Sequence, residues 1–263
     1  MALREDKANT YPPWMCCVQL PFETRFVANW GGKNTYMIPY HNCEKNYLNI
    51  LGRIEVGGLT KIGGGALIAV GDGAVVKFGK ECSMNNRVKL FCENRIEFED
   101  YVRLSWECQV FDSNFHYTSH NGEIKPKSGP VHIQKYTWIG NRVTIQKNVK
   151  LPAYSVVASN SVVNKDYSSN EEGGLYAGLP AKLLSTGNRR IIGADKELFI
   201  DMLFEEGRQV VTEADLEKER EILIKRFFDG RTQMEVANEI GISQAQVSRL
   251  EKNAINHIRR LYK

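Results

Sequence analysis

Residues 133, 139, 145, 151, 157 and 163 are Ile, Ile, Ile, Leu, Val and Val, a branched apolar side chain at every sixth position. Two residues before each stand Val131, Thr137, Val143, Val149, Ser155 and Ser161, all small or β-branched. An amphipathic helix places apolar residues three and four apart and a half-buried strand places them two apart, so a strict six fits neither. It fits a coiled prism in which each flat face sends the same kind of side chain inward, coil upon coil. The register also runs through Phe78, Met84, Leu90, Ile96, Val102 and Cys108, and through Ile50, Val56, Ile62 and Ile68. It slips near residue 70 and breaks between residues 109 and 130. A β-sandwich of short strands is the competing architecture, but sandwiches do not keep such a beat over so many repeats.

The chain has 35 Lys and Arg against 31 Asp and Glu, a net charge of +4. Residues 220–263 hold nine basic and five acidic side chains, so the whole surplus lies there and residues 1–219 are neutral. A basic end on a neutral body points to an appended nucleic-acid-binding module. The 42% hydrophobic and 25% charged content is too apolar for disorder. No apolar run approaches the roughly 18 residues of a membrane span. Residues 1–10 carry charge where a signal peptide has its apolar stretch, and the expected location is the cytoplasm. Cys16 and Cys17 are adjacent and Cys43, Cys82, Cys92 and Cys108 are scattered, without CxxC spacing. Buried reduced thiols are expected rather than a metal site.

A solenoid is a scaffold, so chemistry is sought where its period fails. The break holds Asp112, His116 and His120, then a Gly/Lys/Pro-rich stretch to Pro130. Pro130-Val131-His132-Ile133, Trp138-Ile139-Gly140, Val162-Val163-Asn164-Lys165-Asp166 and Gly178-Leu179-Pro180-Ala181-Lys182 follow. In order and spacing these elements resemble the hexapeptide-repeat acyltransferases over about residues 45–190. The resemblance implies a left-handed parallel β-helix of three short strands per coil. It also implies transfer of an acyl group, usually acetyl, from coenzyme A to the hydroxyl or amine of a small acceptor such as a sugar. Such enzymes are typically homotrimers with the acyl site between neighbouring prisms.

A neutral hydroxyl attacks a thioester at pH 7 only if a base takes its proton, and imidazole has the fitting pKa. His116 is the candidate base, with His120 its competitor on the same loop. Asp112 either accepts from the other ring nitrogen of His116 or caps a turn. His41 precedes the repeat, His132 falls between inward positions, and His257 lies in the C-terminal helical region. Cys108, at an inward position, reads as core. Carried over from the resemblance, coenzyme contacts fall on Trp138, Asn141, Ser159, Asn164, Lys165 and Lys182, the lysines suited to its phosphates.

Beyond Gly187 helical spacing replaces the six-beat. Residues 195–206 form one amphipathic segment, and Thr212 caps a second that ends at the Asp229-Gly230 turn. Residues 232–250 then fit a helix-turn-helix: Ala237 is small where helices touch, Gly241 permits the turn, Ser243 caps the second helix, and Ile240, Val247 and Leu250 supply core. Gln244, Gln246, Ser248 and Arg249 are candidates for base edges, and Lys252, Arg259 and Arg260 for phosphates. The segment Arg226 to Ile258 closely resembles region 4 of bacterial sigma factors, especially the sporulation type, which reads the promoter −35 element. No segment resembles the sigma regions that grip core polymerase and open the −10 element, so sigma activity is not expected.

The expected fold is therefore mainly β, a left-handed parallel β-helix followed by an all-α helix-turn-helix domain. The expected division is an N-terminal segment (1–48), the β-helix (49–190), a helical connector (191–211) and the DNA-binding domain (212–263). The expected activity is that of an acetyl-CoA-dependent acyltransferase. The competing reading is a DNA-binding protein whose β-helix serves only to oligomerise.

Overall fold

A computed structural model of the chain describes residues 26–27, 46–205 and 207–261. Cys16, Cys17, Cys43 and His41 lie outside the described residues, as do the side chains of His257, Arg259 and Arg260. The chain divides into two compact units, Met1–Arg190 and Ile191–Lys263.

The first unit is a three-faced parallel β-solenoid. One face stacks Tyr47–Ile50, Leu67–Val70, Lys89–Cys92, Gln109–Phe111, Thr144–Ile145 and Val162–Val163. The second stacks Arg53–Val56, Val75–Phe78, Arg95–Phe98, Val131–Ile133 and Lys150–Leu151. The third runs from Thr60–Ile62 through Cys82–Met84, Arg103–Leu104, Trp138–Ile139 and Val156–Val157 to the antiparallel pair Leu175–Gly178 and Ala181–Ser185. Phe26–Val27 pairs in parallel with Thr60 and Lys61.

From Ile62 onward the six-beat residues form the buried interior of this prism, with Ile50 and Val56 partly buried against it. Ile133, Ile139 and Ile145 stack on Leu151, Val157 and Val163, eighteen residues on, in register on the three faces. The smaller set two residues earlier fills a second inward column. Its hydroxyls are satisfied internally: Thr137 and Ser155 donate to the Pro152 carbonyl at 3.3 and 2.6 Å, and Ser161 accepts from Gly178 N at 3.1 Å.

The earlier coils are longer than eighteen residues. Ile68 faces Leu90, twenty-two on, and Leu90 faces Val110, twenty on. The extra residues on the first face create a third inward column, Ile50, Val70, Cys92 and Asp112. The beat through 90, 96 and 102 survives this insertion only by changing columns. Phe78, Met84 and Leu90 follow the buried Val76, Cys82 and Val88 by two residues, whereas Ile96, Val102 and Cys108 precede the buried Phe98, Leu104 and Val110 by two.

Corners are turned by single residues in the left-handed region, among them Tyr101, Tyr136 and Tyr154 with φ of 62°, 59° and 59°. Such backbone is costly for bulky residues, and two contacts offset it. Each amide donates to the adjacent coil, Tyr101 to Lys80 O, Tyr136 to Asp100 O and Tyr154 to Lys135 O. The rings stack with centroids 4.8 and 5.0 Å apart, and the Arg189 guanidinium covers Tyr154 at 4.7 Å.

The second unit contains α1 (Ala194–Glu205), α2 (Glu213–Phe227), α3 (Gln233–Ile240) and α4 (Gln244–Leu261). Thr212 with Asp215, and Thr232 with Glu235, form capping boxes at the starts of α2 and α3. Gly241, at φ 75°, closes α3 and turns the chain toward α4. Ile222, Val236, Ala237 and Val247 are the core, with Ile240, Ile242 and Leu250 packed against it. A bidentate pair from Arg226 (α2) to Glu251 (α4), at 3.0 and 2.7 Å, and a bond from Gln233 (α3) to the same carboxylate, at 2.7 Å, tie three helices together. The Arg226 guanidinium holds the Glu251 carboxyl below its ordinary range.

Candidate functional site

The solenoid is interrupted after Gln109–Phe111 by a loop that returns at Val131–Ile133. Its neck is closed by a bridge between Ser113 and Ser128, by Asn114 N donating to Lys127 O at 2.9 Å, and by Gly129 N donating to Asp112 O at 2.8 Å. Its tip is a small hairpin, Ser119–His120 against Glu123–Ile124.

His116 is exposed on the outgoing limb, and among the described residues its imidazole has no hydrogen-bond partner. Phe115, just before it, has φ of 61° away from any corner of the solenoid. Its ring packs edge-on against the outward-facing Phe91 and Phe111, at 5.8 and 6.0 Å. His120, also exposed, lies 3.3 Å from its neighbour Asn121.

Asp112 is not placed to orient His116. It is fully buried, the last member of the third inward column. Its carboxylate accepts from Glu93 N and Asn94 N, both at 2.7 Å, and from Cys92 Sγ at 3.2 Å. Of the two roles open in the sequence, the turn-capping one is what the geometry contains. Burial, with Asp112 beside it, pushes the Cys92 thiol up to about 12. Burial likewise raises Cys108 and Cys82 to about 11, as befits core thiols.

His132 does not simply face solvent: it lies 2.8 Å from Glu99 Oε1 on the second face, and Glu99 Oε2 accepts from Lys135 N. Sequence spacing gave no sign of this pair, which joins residues thirty-three apart.

The candidate coenzyme residues fall into three places. Trp138 projects from the third face, its indole N–H donating to Ser105 Oγ at 3.1 Å and its ring 5.6 Å from the Arg190 guanidinium. Asn141 and Ser159 stack at the following corner, Asn141 N donating to Ser159 Oγ at 3.1 Å. Asn164 and Lys165 are exposed after the last strand of the first face, and Lys182 is exposed on Ala181–Ser185. Tyr167 links these latter groups, since Lys165 Nζ lies 5.3 Å from its ring and its hydroxyl donates to Ala181 O.

On α4, Gln244, Ser248, Arg249 and Lys252 are exposed. Gln244, Ser248 and Lys252 recur every fourth residue along one side of the helix. Gln246 is also exposed, but its carboxamide oxygen accepts from Ser243 N and Oγ at 3.0 and 3.1 Å. It completes a capping box at the start of α4, and so is only partly available to a base edge.

Among the described residues no group of three or more His, Cys, Asp or Glu could hold a metal ion, and no helix is long and apolar enough to cross a membrane.

Residues 217–260 match the family described as sigma-70, region 4. Over 44 residues the chain is 70% identical to an RNA polymerase sigma-G factor of Clostridium acetobutylicum, a stretch covering 17% of each protein. Over 71 residues it is 37% identical to a "Putative acetyltransferase" of Staphylococcus aureus (strain COL), covering 27% of this chain and 33% of that one. The chain thus spans a sixth of the length of the one relative and a third of the other. Among solved structures it is similar to a variant of AntD, an N-acyltransferase from Bacillus cereus in complex with dTDP and coenzyme A. That match has a TM-score of 0.47 and 19% identity, over 62% of this chain and 86% of that chain.

Proposed function

We propose that the solenoid unit is a coenzyme A-dependent acyltransferase, transferring acetyl to the hydroxyl or amine of a small acceptor such as a sugar, and that the helical unit binds double-stranded DNA. The transferase would occupy residues 49–190 and the DNA-binding module residues 212–263, joined by residues 191–211. The observation that carries the enzymatic reading is the position of His116. It is an exposed imidazole on the long excursion from a regular solenoid, beside an aromatic cluster, in a chain with local similarity to an acetyltransferase.

In this reading neutral His116 accepts the proton of the acceptor hydroxyl or amine as its O or N attacks the thioester carbonyl. The new C–O or C–N bond forms, the C–S bond breaks, and the imidazolium returns its proton to the departing thiolate. Asp112 contributes by fixing the root of the loop rather than by touching the ring. The thioester supplies the activated acyl group. The exposed cations Lys165 and Lys182 suit phosphates, while Trp138, Asn141, Ser159 and Asn164 offer a ring and polar edges for the remainder. The exposed apolar side chains Phe115, Tyr117 and Ile124 on the same loop favour a site completed by a second copy, in a cytoplasmic homotrimer.

On the DNA side, Gln244, Ser248 and Arg249 would meet base edges, with Gln246 contributing only its amide N–H, and Lys252 would meet phosphate. A second reading, a transcription-related DNA-binding protein with the solenoid as oligomerisation scaffold, is favoured by the polar side of α4 and by the high identity confined to that unit.

Both readings are tested with the full chain. Release of free thiol from acetyl-CoA is followed across sugar, amino-sugar and antibiotic acceptors, and His116→Ala is expected to abolish it. Retained turnover in that variant refutes the mechanism. Binding to a −35-type duplex is expected to weaken steeply with salt, and equal binding to a scrambled duplex removes sequence reading.

A further inference from the structure

We infer that Glu93 is a positioning residue for His116, acting through a clamp across the neck of the 112–130 loop; the inference rests on the acyl-transfer reading above. Glu93 follows the strand Lys89–Cys92, in the coil stacked directly against Gln109–Phe111. Its Oε2 accepts from Ser113 Oγ at 2.7 Å on the outgoing limb and lies 3.0 Å from Lys127 Nζ on the returning limb. One carboxylate oxygen thus holds both sides of the neck.

The contact is relayed toward the candidate base. Ser113 Oγ, while donating to Glu93, accepts from Phe115 N at 2.9 Å, and Phe115 immediately precedes His116. The grip is also reciprocal, because the Glu93 amide is itself held by Asp112, the first residue of the loop. The Ser113 hydroxyl, and after it Lys127, holds the Glu93 carboxyl below its ordinary range. The clamp is therefore charged wherever imidazole can act as a base.

The physical need follows from His116 itself. With no partner for its ring among the described residues, the direction of the imidazole is set by the backbone of residues 113–116. That backbone includes the left-handed Phe115, a conformation that persists only when its surroundings over-determine it. Ser113 below and the Phe91 and Phe111 rings beside it are those surroundings.

The test uses the full chain and three substitutions that spare His116 and the coenzyme residues: Glu93→Gln, which keeps shape and removes charge, Ser113→Ala and Lys127→Met. Hydrogen exchange of peptides spanning residues 113–129 is expected to quicken about tenfold, as for loss of one charge-assisted bond. Peptides spanning residues 138–163 should be unchanged. With an acceptor that supports turnover, kcat is expected to fall about tenfold at constant KM for acetyl-CoA, because orientation of the base is lost while binding is kept. Unchanged exchange in all three variants overturns the clamp. Faster exchange with unchanged kcat overturns the positioning role. If the wild-type chain turns over no acceptor while loop exchange responds, the clamp stands and the acyl-transfer reading falls.

Discussion

Replacing Asp112 separates the two roles that its place in the loop motif allows. The carboxylate is fully buried and accepts two backbone amides of the neighbouring coil at 2.7 Å. Hydrogen bonds to a charged acceptor contribute about 1.5–3 kcal/mol each. Asp112→Ala removes both and leaves two donors facing a void, for a loss of about 4 kcal/mol. Asp112→Asn keeps one acceptor oxygen and should lose about half of that. A unit of this size shifts its midpoint by about 2–4 °C per kcal/mol, so the expected falls are about 10 °C and about 5 °C. The readout is selective because all four tryptophans, Trp14, Trp30, Trp106 and Trp138, precede residue 190. Thermal unfolding followed by tryptophan fluorescence therefore reports the solenoid through Trp106 and Trp138 and not the helices. If Asp112 instead served mainly to orient His116, both variants would keep a midpoint within about 2 °C of wild type and lose turnover. That result would refute the capping argument.

Three further outcomes are expected. Gly140→Ala should lower the tryptophan-monitored midpoint by about 2 kcal/mol equivalent, because a Cβ there would meet Val157 O at 2.7 Å and Ser159 N at 2.8 Å, backbone that cannot swing away; an unchanged midpoint would show that the coils separate freely at this corner. Arg226→Ala should destabilise the helical unit by about 2 kcal/mol, a figure discounted for partial exposure of the pair, and Arg226→Lys should not restore it, since an ammonium cannot bridge both oxygens of Glu251; ellipticity at 222 nm against urea measures both. Acidification should weaken the same unit. Thr212 holds Asp215 down to about 2, and Glu235, Glu239 and Glu251 are lowered by Thr232, Lys225 and Arg226 respectively. Depressed folded-state pKa values contribute stability above the ordinary carboxylate value near about 4 and lose it as pH falls toward about 2. The helical midpoint should therefore drop across that window, and a flat profile would contradict it.

Much of this molecule is legible from the chain because its determinants are local. The caps Thr212 and Ser243, the left-handed Gly241 and the small Ala237 each act within a turn of helix, and each stands where spacing placed it. The inward residues 131–163 are equally readable, since a coil of eighteen residues repeats one environment every six. The same Ser243-x-x-Gln246 spacing that signals a capping box was open to a second use of Gln246, and only the hydrogen bonds show which use the carboxamide oxygen serves.

What the sequence by itself determined is the period and the helix boundaries. Tertiary structure alone decided what lies above and below each residue. Coils of eighteen, twenty and twenty-two residues can share the same six-residue beat by switching inward columns, as the chain does between Leu90 and Ile96. That silent insertion turns Asp112 inward onto Cys92 and sets Glu93 beneath Ser113, while the loop's return on the second face brings His132 to Glu99. The physical reason is that neighbours in a solenoid are fixed by the number of residues per coil, a quantity summed over the whole circuit that no local window of sequence contains.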